Sequence, residues 1–298
     1  MQVFVTGGSG QTGPAIIREL IRGGHTVTGL ARSDASAAIL ERLGAVPVRG
    51  SLEDLDVLAA ATGAADGVVH MAYGGDYADP EAMIRREVGA ITAMGSALEG
   101  SGKPLIVTSG TLVLPYGQTV SEDDEPDRDG PAAARLAGED ACLAFVGRGV
   151  RAIVLRLAPT VHGPNDHGFI PMLIATAKDK RVSAYVGDGT NQWPAVHRDD
   201  AARLYRLAVE SAPAGSVLHA VAENVTFADI ANTIGQGLGI PATALTPEEA
   251  AKHYISPFMG LLYGAHAPAA APQTKQLLDW RPTHEGLLDD LADGDYLR

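Results

Sequence analysis

The stretch VTGGSGQTG, residues 5–13, decides the fold of this chain. It follows a short apolar run, and Gly7, Gly10 and Gly13 recur every third residue before a segment with helical spacing. In such a unit the first glycine allows a tight turn, the second lets a pyrophosphate approach the backbone, and the third lets the helix pack closely on the strand. The helix N-terminus adds partial positive charge. The stretch therefore predicts a βαβ unit that binds a dinucleotide.

Apolar strands alternate with helical segments over the first half of the chain. Strands are predicted at residues 2–6, 25–31, 46–49, 67–71, 104–108 and 151–157, and helices at 14–22, 35–44, 53–62, 80–100 and 132–147. The strands are almost continuously hydrophobic, which is typical of parallel strands buried on both faces. The alternation predicts an α/β fold with a doubly wound parallel Rossmann sheet.

The pattern changes near residue 165, where Pro and Gly become frequent. The GDG sequence at 187–189 predicts a tight hairpin turn, and residues 199–210 predict a helix with Asp199 or Asp200 as its N-cap. We expect an NADP-binding domain over residues 1–165, to which the chain returns around 194–222. A smaller substrate-binding cap is expected mainly from residues 166–298.

Charge and composition restrict the partners. The 298 residues include 23 basic and 36 acidic ones, a formal net charge of -13 that repels nucleic acid and anionic membranes. Cys142 is the one cysteine and has no internal disulfide partner, and no apolar run approaches the roughly 18 residues of a membrane span. We expect a cytoplasmic protein with a small-molecule substrate. No metal is expected, because HGPNDHG at 162–168 does not match a ligand pattern.

The end of the second strand, GLARSD at 29–34, bears on the choice of dinucleotide. A free ribose is usually met by an acidic residue about 20 residues past the glycine loop, whereas a 2′-phosphate needs a cation. Arg32 is the first residue off the strand and can donate two hydrogen bonds to the phosphate, with Ser33 as a further donor. Asp34 favours NAD, but its position also suits the cap of the next helix. The sequence thus favours NADP over NAD.

Several motifs carry a family resemblance: GSLED at 50–54, VVHMAY at 68–73, IVTSGTLVLPYG at 106–117, RLAPTVHGPND at 156–166 and WPAVHRDDAARL at 193–204. With the glycine loop, they are similar to those of the extended and atypical short-chain dehydrogenase/reductases, an NAD-dependent epimerase/dehydratase-like superfamily. With Arg32 and Ser33, the resemblance implies this cofactor-binding set: Thr6, Gly7, Gly10, Gln11, Thr12, Gly13, Arg32, Ser33, Ser51, Leu52, Met71, Ala72, Arg135, Pro159, Thr160 and Val161.

The chain departs from the family where the acid should lie. The resemblance implies a Tyr, which exchanges a proton with the substrate oxygen, and a Lys four residues later, which holds the nicotinamide ribose. By register with that pattern, GPAAARLAGED at 130–140 places Pro131 at the Tyr position and Arg135 at the Lys position. Proline has no proton to donate, and arginine stays charged far above neutral pH. We expect Arg135 to bind the ribose and another group to supply the proton.

Several residues are candidates for that proton and for substrate polarisation. His162 stands where the family usually has the Tyr of its Tyr-Gly-Pro element, and an imidazole titrates near neutrality; Tyr116, Tyr73, His197 and water are alternatives. Ser109 or Thr111 can polarise a substrate carbonyl. The proposed catalytic set is Ser109, Thr111, Tyr116, Arg135 and His162.

The substrate wall is expected to be largely apolar, drawing on Tyr73, Phe169, Trp193 and the 255–266 segment beside the catalytic candidates. Three functions remain open: an NADPH-dependent reductase of a small apolar carbonyl, imine or activated alkene, a nucleotide-sugar-type epimerase or dehydratase with bound NAD, and a catalytically silent NADP-binding sensor or interaction protein. The resemblance also implies a homodimer through the helices at 80–100 and 132–147.

Overall fold

The computed structural model describes residues 1–74 and 79–297. Its strands are β1 Gln2–Thr6, β2 Thr26–Ala31, β3 Val46–Arg49, β4 Gly67–His70, β5 Pro104–Gly110, β6 Arg151–Leu157, β7 Thr160–His162, β8 Ser183–Val186, β9 Gln192–His197, β10 Val217–Ala220, β11 Glu223–Thr226 and β12 Ala242–Leu245. Its α-helices are α1 Gly13–Arg22, α2 Asp34–Arg42, α3 Leu55–Ala64, α4 Pro80–Ala97, α5 Leu136–Leu143, α6 Phe169–Lys180, α7 Arg198–Ser211, α8 Phe227–Leu238, α9 Pro247–His253, α10 Pro257–Gly264, α11 Pro272–Leu278 and α12 Leu287–Asp293.

Seven parallel strands form the central sheet in the order β10-β6-β5-β4-β1-β2-β3. Helices α1, α2 and α7 cover one face, and α3, α4 and α5 cover the other. The strand order reverses between β1 and β4, so their carboxyl ends open a crevice of the kind that binds ligands in such sheets. This confirms the predicted doubly wound Rossmann sheet.

The chain returns to this sheet after residue 197. Helix α7 packs against α1, and β10 adds a seventh strand beside β6. The predicted N-cap of α7 was wrong: His197 caps the helix, its Nδ1 accepting a hydrogen bond from the Asp199 backbone N–H at 3.2 Å. Asp200 is buried and accepts bonds from the Thr283 and His284 backbone N–H groups. Its carboxylate therefore fixes the C-terminal segment.

The C-terminal half adds two small sheets around a second apolar core, one of order β11-β9-β7 and one that pairs β12 with β8. The predicted hairpin at 187–189 was wrong, because β8 pairs in parallel with β12 whereas β9 pairs with β7 and β11. Gly187 and Gly189 do turn the chain with positive φ angles of 66° and 72°. The turn thus connects two sheets.

The helix predicted over 132–147 is shorter, because only Leu136–Leu143 is α-helical, between 3₁₀ turns at Ala133–Arg135 and Val146–Arg148. Gly149, with a φ of 75°, ends this segment. None of the helices in the described ranges combines the length and the apolar composition that a bilayer crossing requires.

Candidate functional site

The glycine loop between β1 and α1 is packed on one side and open on the other. An added Cβ at Gly7, whose φ is 75°, would lie 2.8 Å from the Ala72 backbone nitrogen. At Gly13 it would lie 2.5 Å from the Gly7 carbonyl oxygen. At Gly10, by contrast, the Gly7 carbonyl at 3.2 Å is the one described atom within 4 Å. The backbone at Gly10 is therefore accessible to a pyrophosphate.

Thr6 and Gln11 fix this loop to its neighbours. The buried Thr6 hydroxyl lies 2.7 Å from His70 Nδ1 and accepts a bond from the Ala72 backbone N–H, so it joins the ends of β1 and β4. The Gln11 amide donates to Asp166 Oδ1 at 2.5 Å and to the Val161 carbonyl at 3.2 Å. Gln11 thus connects the glycine loop with the segment after β7. Thr12, with an αR backbone, is the N-cap of α1.

The ends of β2 and β3 bring two arginines together. Arg32 is exposed and forms no hydrogen bond or ion pair with the residues that the structure describes. Arg49 is adjacent, because β3 pairs Arg49 with Ala31, and its guanidinium lies 2.6 Å from Asp34 Oδ1. The carboxylate that favours NAD is therefore already paired with a cation.

Helix α2 corrects one detail of the prediction, because Ser33 and not Asp34 is its N-cap. The Ser33 hydroxyl accepts from the Ser36 backbone N–H, and the Ser36 hydroxyl reciprocates in a capping box. The Ser33 hydroxyl also lies 3.1 Å from the Ser36 hydroxyl, so this side chain is engaged in local contacts. Asp34 is the first helical residue.

The remaining predicted cofactor residues line the same crevice edge. Ser51 donates its backbone N–H and hydroxyl to Asp54 at 2.7 and 2.8 Å, and these bonds hold the pKa of the Asp54 carboxyl below its usual value. Leu52 packs against the core beneath α3. Four more of these residues are half-buried or buried, and they lie directly after β4, directly after β6 or within β7: Met71, Pro159, Thr160 and Val161.

Arg135 lies between the ends of β4, β5 and helix α4 and is held at three points. Its Nη1 donates to Glu87 Oε1 at 2.7 Å, and its Nη2 donates to the Thr108 carbonyl at 2.6 Å. Its guanidinium carbon lies 3.6 Å from the centroid of the Tyr73 ring, a cation–π contact. Burial raises the pKa of the Glu87 carboxyl to about 7, although Arg135 opposes the shift.

Two hydroxyls at the end of β5 are buried without a hydrogen-bond partner in the described part of the chain: Ser109 Oγ and Thr111 Oγ1. An unpaired buried hydroxyl costs free energy unless a ligand or water satisfies it. Their position at the carboxyl end of a central strand is where ligands bind in such sheets. These two residues fit a role at a bound substrate or cofactor.

An apolar cavity of about 230 Å³ is lined by Tyr116, Pro131, Phe258, Leu261, Leu262, Gly264 and Ala265. Pro131, which the sequence register predicts at the family's Tyr position, lies four residues before Arg135. The Tyr116 hydroxyl donates to the Leu112 carbonyl at 3.2 Å. Burial, and secondarily Asp127, raises the pKa of the Tyr116 phenol. The predicted 255–266 segment supplies five of these seven lining residues.

His162 is not at this cavity. It is fully buried in β7, with Nδ1 2.8 Å from Asp290 Oδ2 in α12 and its ring against His197. This contact joins β7 to the C-terminal helix, as a structural histidine does. The geometry therefore does not support the predicted role of His162 as a proton donor. His197, also buried, is engaged by the α7 cap.

The positions of Trp193 and Phe169 differ from the predicted substrate wall. Trp193 is 2% exposed and packs edge-on against Phe169 and Phe227 in the core of the C-terminal half. Phe169 is half-buried at the start of α6 and contacts Tyr263. These aromatic residues have the core role that was the alternative to substrate binding. Tyr73, by contrast, is exposed next to Arg135.

One group of side chains has the composition of a metal site: the ligand atoms of His197, Asp199 and His284 lie within 4.8 Å of one another. The rings of His197 and His284 are stacked at 4.5 Å and nearly parallel, at 10°. Nitrogen lone pairs of parallel rings do not converge on one point. In addition, His284 Nδ1 lies 2.9 Å from Asp200 Oδ1. The arrangement is that of a packed cluster and does not favour a metal.

The residues present fit a dinucleotide, because the open backbone at Gly10, the free Arg32 and the unpaired hydroxyls of Ser109 and Thr111 follow one edge of the sheet. Sequence reasoning missed Glu87 and Arg49. The partner of Arg135 lies 48 residues earlier in the chain. No local spacing signals such a contact.

Comparisons with known proteins agree with this fold. A family model described as NAD dependent epimerase/dehydratase family matches residues 3–220. The chain is 44% identical over 301 residues to an uncharacterized protein of Schizosaccharomyces pombe, covering 99% of this chain and 100% of that one. It is 29% identical over 225 residues to 4-hydroxy-2-methyl-3-oxo-4-farnesyl-3,4-dihydroquinoline-1-oxide ketoreductase of Stigmatella aurantiaca, covering 73% of this chain and 67% of that one.

A solved structure shares the fold over the whole chain. The UDP-glucuronic acid 4-epimerase from Bacillus cereus, in complex with UDP-glucuronic acid and NAD, superposes with a TM-score of 0.77 and 22% identity. The superposition covers 100% of this chain and 99% of that one. At this identity the likeness concerns the fold alone.

Proposed function

The chain belongs to the NAD dependent epimerase/dehydratase family and is an NAD(P)-dependent enzyme of the oxidoreductase and epimerase type, and from this premise we propose that it reduces a small, largely apolar carbonyl, imine or activated alkene with NADPH. The observation that carries the proposal is the apolar cavity beside Tyr116 and Pro131. A nucleotide sugar needs many polar partners, whereas this wall offers one phenol hydroxyl and mainly hydrocarbon surface.

The preference for NADPH follows from the charges at the ends of β2 and β3. Arg32 is free to contact a 2′-phosphate, and Arg49 neutralises Asp34 from the adjacent strand. A guanidinium matches phosphate geometry with paired N–H donors. The ion pair with Arg49 offsets the charge of Asp34, which makes this carboxylate a weaker acceptor for a 2′-hydroxyl. Both effects favour the phosphorylated dinucleotide.

Tyr116 is the proton donor that the geometry favours. When bound, NADPH supplies the hydride and leaves as NADP⁺, so the proton must come from the chain or from water. Tyr116 lines the cavity, and its phenol is protonated at neutral pH; to donate to a substrate it must release its hydrogen bond to the Leu112 carbonyl. A protonated phenol suits a donor in a reduction, whereas an epimerase or dehydratase depends on a phenolate base. The hydroxyls of Ser109 and Thr111 would orient the oxygen being reduced.

The relative from Stigmatella aurantiaca supports the same direction, because its name describes a ketoreductase acting on a molecule with a farnesyl chain. That substrate is ketonic and has a large apolar part, which is the combination that the cavity and the Tyr116 phenol would accept.

Consumption of NADPH tests the proposal. Purified protein should oxidise NADPH when aldehydes, ketones, imines or activated alkenes with apolar substituents are added, and NADH should support a slower reaction. Retention of NAD through purification, with conversion of a nucleotide sugar and no net redox change, would establish the epimerase instead. Tight NADPH binding without turnover of any of these compounds would establish a sensor or interaction protein.

A further inference from the structure

The mouth of the cavity is lined with exposed apolar side chains. Phe258 and Leu261, one turn apart on α10, both line the cavity, yet they are 51% and 66% exposed. Ile255, two residues before α10, is 77% exposed. Eight large hydrophobic side chains are exposed in the described ranges, and three of them fall within these seven residues. We call Ile255, Phe258 and Leu261 the tail face.

The size of the cavity indicates what this face contacts. At about 230 Å³ it is smaller than the roughly 300–1,000 Å³ of typical ligand pockets. A substrate whose reacting group lies near Tyr116 fills this volume with few carbon atoms. Any longer apolar chain must leave through the mouth, where Phe258 and Leu261 continue the hydrocarbon wall. An apolar patch that continues a cavity in this way is characteristic of a ligand-binding surface.

We propose that the tail face binds an aliphatic chain on the substrate, while the group to be reduced lies by Tyr116 and Pro131. The proposal rests on the proposed reductase function and narrows its substrate to ketones or related compounds with an extended alkyl or isoprenoid chain. Each methylene that moves from water onto the face contributes hydrophobic free energy, which corresponds to about fourfold in affinity. Chain length therefore becomes a specificity determinant.

A series of methyl ketones of increasing chain length tests this. Their Kd is measured by displacement of a fluorescent apolar probe, and their kcat/KM by NADPH oxidation. We expect about a fourfold gain per methylene over the first several carbons. The variant Leu261→Asp should abolish the gain from the later carbons. Leu277→Asp, which places the same charge at a 48% exposed leucine on α11, is the matched control and should change nothing.

Each outcome has one meaning. Chain-length-dependent binding that Leu261→Asp removes supports the tail face, even if the ketones are not reduced; in that case only the reductase function fails. Reduction with no chain-length dependence, or absence of ketone binding, overturns the tail face. A change from dimer to monomer in Leu261→Asp, with the chain-length dependence intact, also overturns it, because the face then joins two copies of the chain.

The buried carboxyl group of Glu87 carries a second inference, independent of the substrate. Glu87 is 3% exposed on α4, and its Oε2 has no hydrogen-bond partner in the described part of the chain. Placing a carboxyl there is costly, and its one strong contact is the 2.7 Å bond to Arg135. Glu87, Tyr73 and the Thr108 carbonyl together fix the plane of the Arg135 guanidinium.

We infer that Glu87 is a positioning residue, which orients Arg135 toward the ribose hydroxyls of the cofactor. A guanidinium donates from a rigid fork, so a rotation of its plane redirects every remaining donor. The long, flat side chain of Arg135 thus needs a fixed hydrogen-bond acceptor behind it. This inference rests on the proposed ribose-binding role of Arg135.

A double-mutant cycle on NADPH affinity, measured by calorimetry, tests the inference. Glu87→Gln should raise Kd for NADPH about tenfold, and Arg135→Ala should raise it at least as much. In the Arg135→Ala background, Glu87→Gln should have no further effect. Asp140→Asn, which breaks the exposed Arg128–Asp140 pair, is the control.

A fall in Tm for Glu87→Gln with an unchanged Kd would show a merely structural ion pair and overturn the inference. Losses in Kd that simply add in the double variant would do the same. If Glu87→Gln does not fold, Glu87→Asp keeps the charge and shortens the reach, and should raise Kd several-fold. If Arg135→Ala binds NADPH normally, the ribose-binding role itself fails.

Discussion

Replacing Arg32 by Glu tests the cofactor assignment most directly. Arg32 is exposed and has no partner among the described residues, so the substitution removes no contact that stabilises the folded protein. A guanidinium bound to a phosphate through paired charged hydrogen bonds contributes about 1.5–3 kcal/mol per bond. The introduced carboxylate adds repulsion of the 2′-phosphate. We therefore expect the Kd of NADPH to rise by at least about 100-fold.

NADH has no 2′-phosphate, and its Kd should change by less than about threefold. Both values come from calorimetry on the purified protein, with the unfolding transition recorded to confirm an intact fold. Arg42→Glu, which makes the same charge change at an exposed position near the end of α2, is the matched control for long-range electrostatics. Equal losses for both dinucleotides in Arg32→Glu would refute the reasoning, because the arginine would then not read the phosphate.

Three further variants separate catalysis from structure. Tyr116→Phe should lower kcat by roughly 10²- to 10⁴-fold with unchanged NADPH affinity, and a wild-type kcat would assign the proton to another group. His162→Ala leaves Asp290 buried without its partner, so the free energy of unfolding in urea should fall by about 3 kcal/mol while kcat of the folded protein is kept; a large loss of kcat at full stability would restore the donor role. Burial, with a smaller contribution from Arg135, lowers the pKa of His70 to about 3; the unfolded chain therefore binds the extra proton, and stability is lost as the pH falls below about 6.5. Between pH 7.5 and 5 this group alone should cost about 2 kcal/mol, and a pH dependence that is identical in His70→Gln would contradict it.

The local signals in the sequence were reliable where one segment carries the whole feature. Gly7, Gly10 and Gly13 predict their turn because the steric requirement is set by residues only a few positions apart. The strands predict a parallel sheet for the same reason, since burial on both faces makes each strand almost continuously hydrophobic. Predictions failed where two segments share a feature, as at GDG, whose flanking strands pair with different partners.

The candidate site shows the same difference between features within one segment and features that two segments share. Arg32 was predicted to bind the cofactor from its place after a strand, and this stays a prediction, whereas Arg49 pairs with Asp34 only because two strands lie side by side. His162 looked catalytic because of its motif, but its partner Asp290 lies 128 residues away. The cavity forms only where Tyr116, Pro131 and α10 come together, and no spacing in the sequence predicts that these three segments meet.

By itself the sequence determined the nucleotide-binding βαβ unit and the parallel sheet, because steric and hydrophobic rules act over a few residues. Only the tertiary structure decided that Glu87 is paired with Arg135 and that His162 is paired with Asp290. It also decided that the apolar cavity lies next to Tyr116. Such contacts depend on how distant segments pack, and packing free energy belongs to the whole fold rather than to any one stretch of chain.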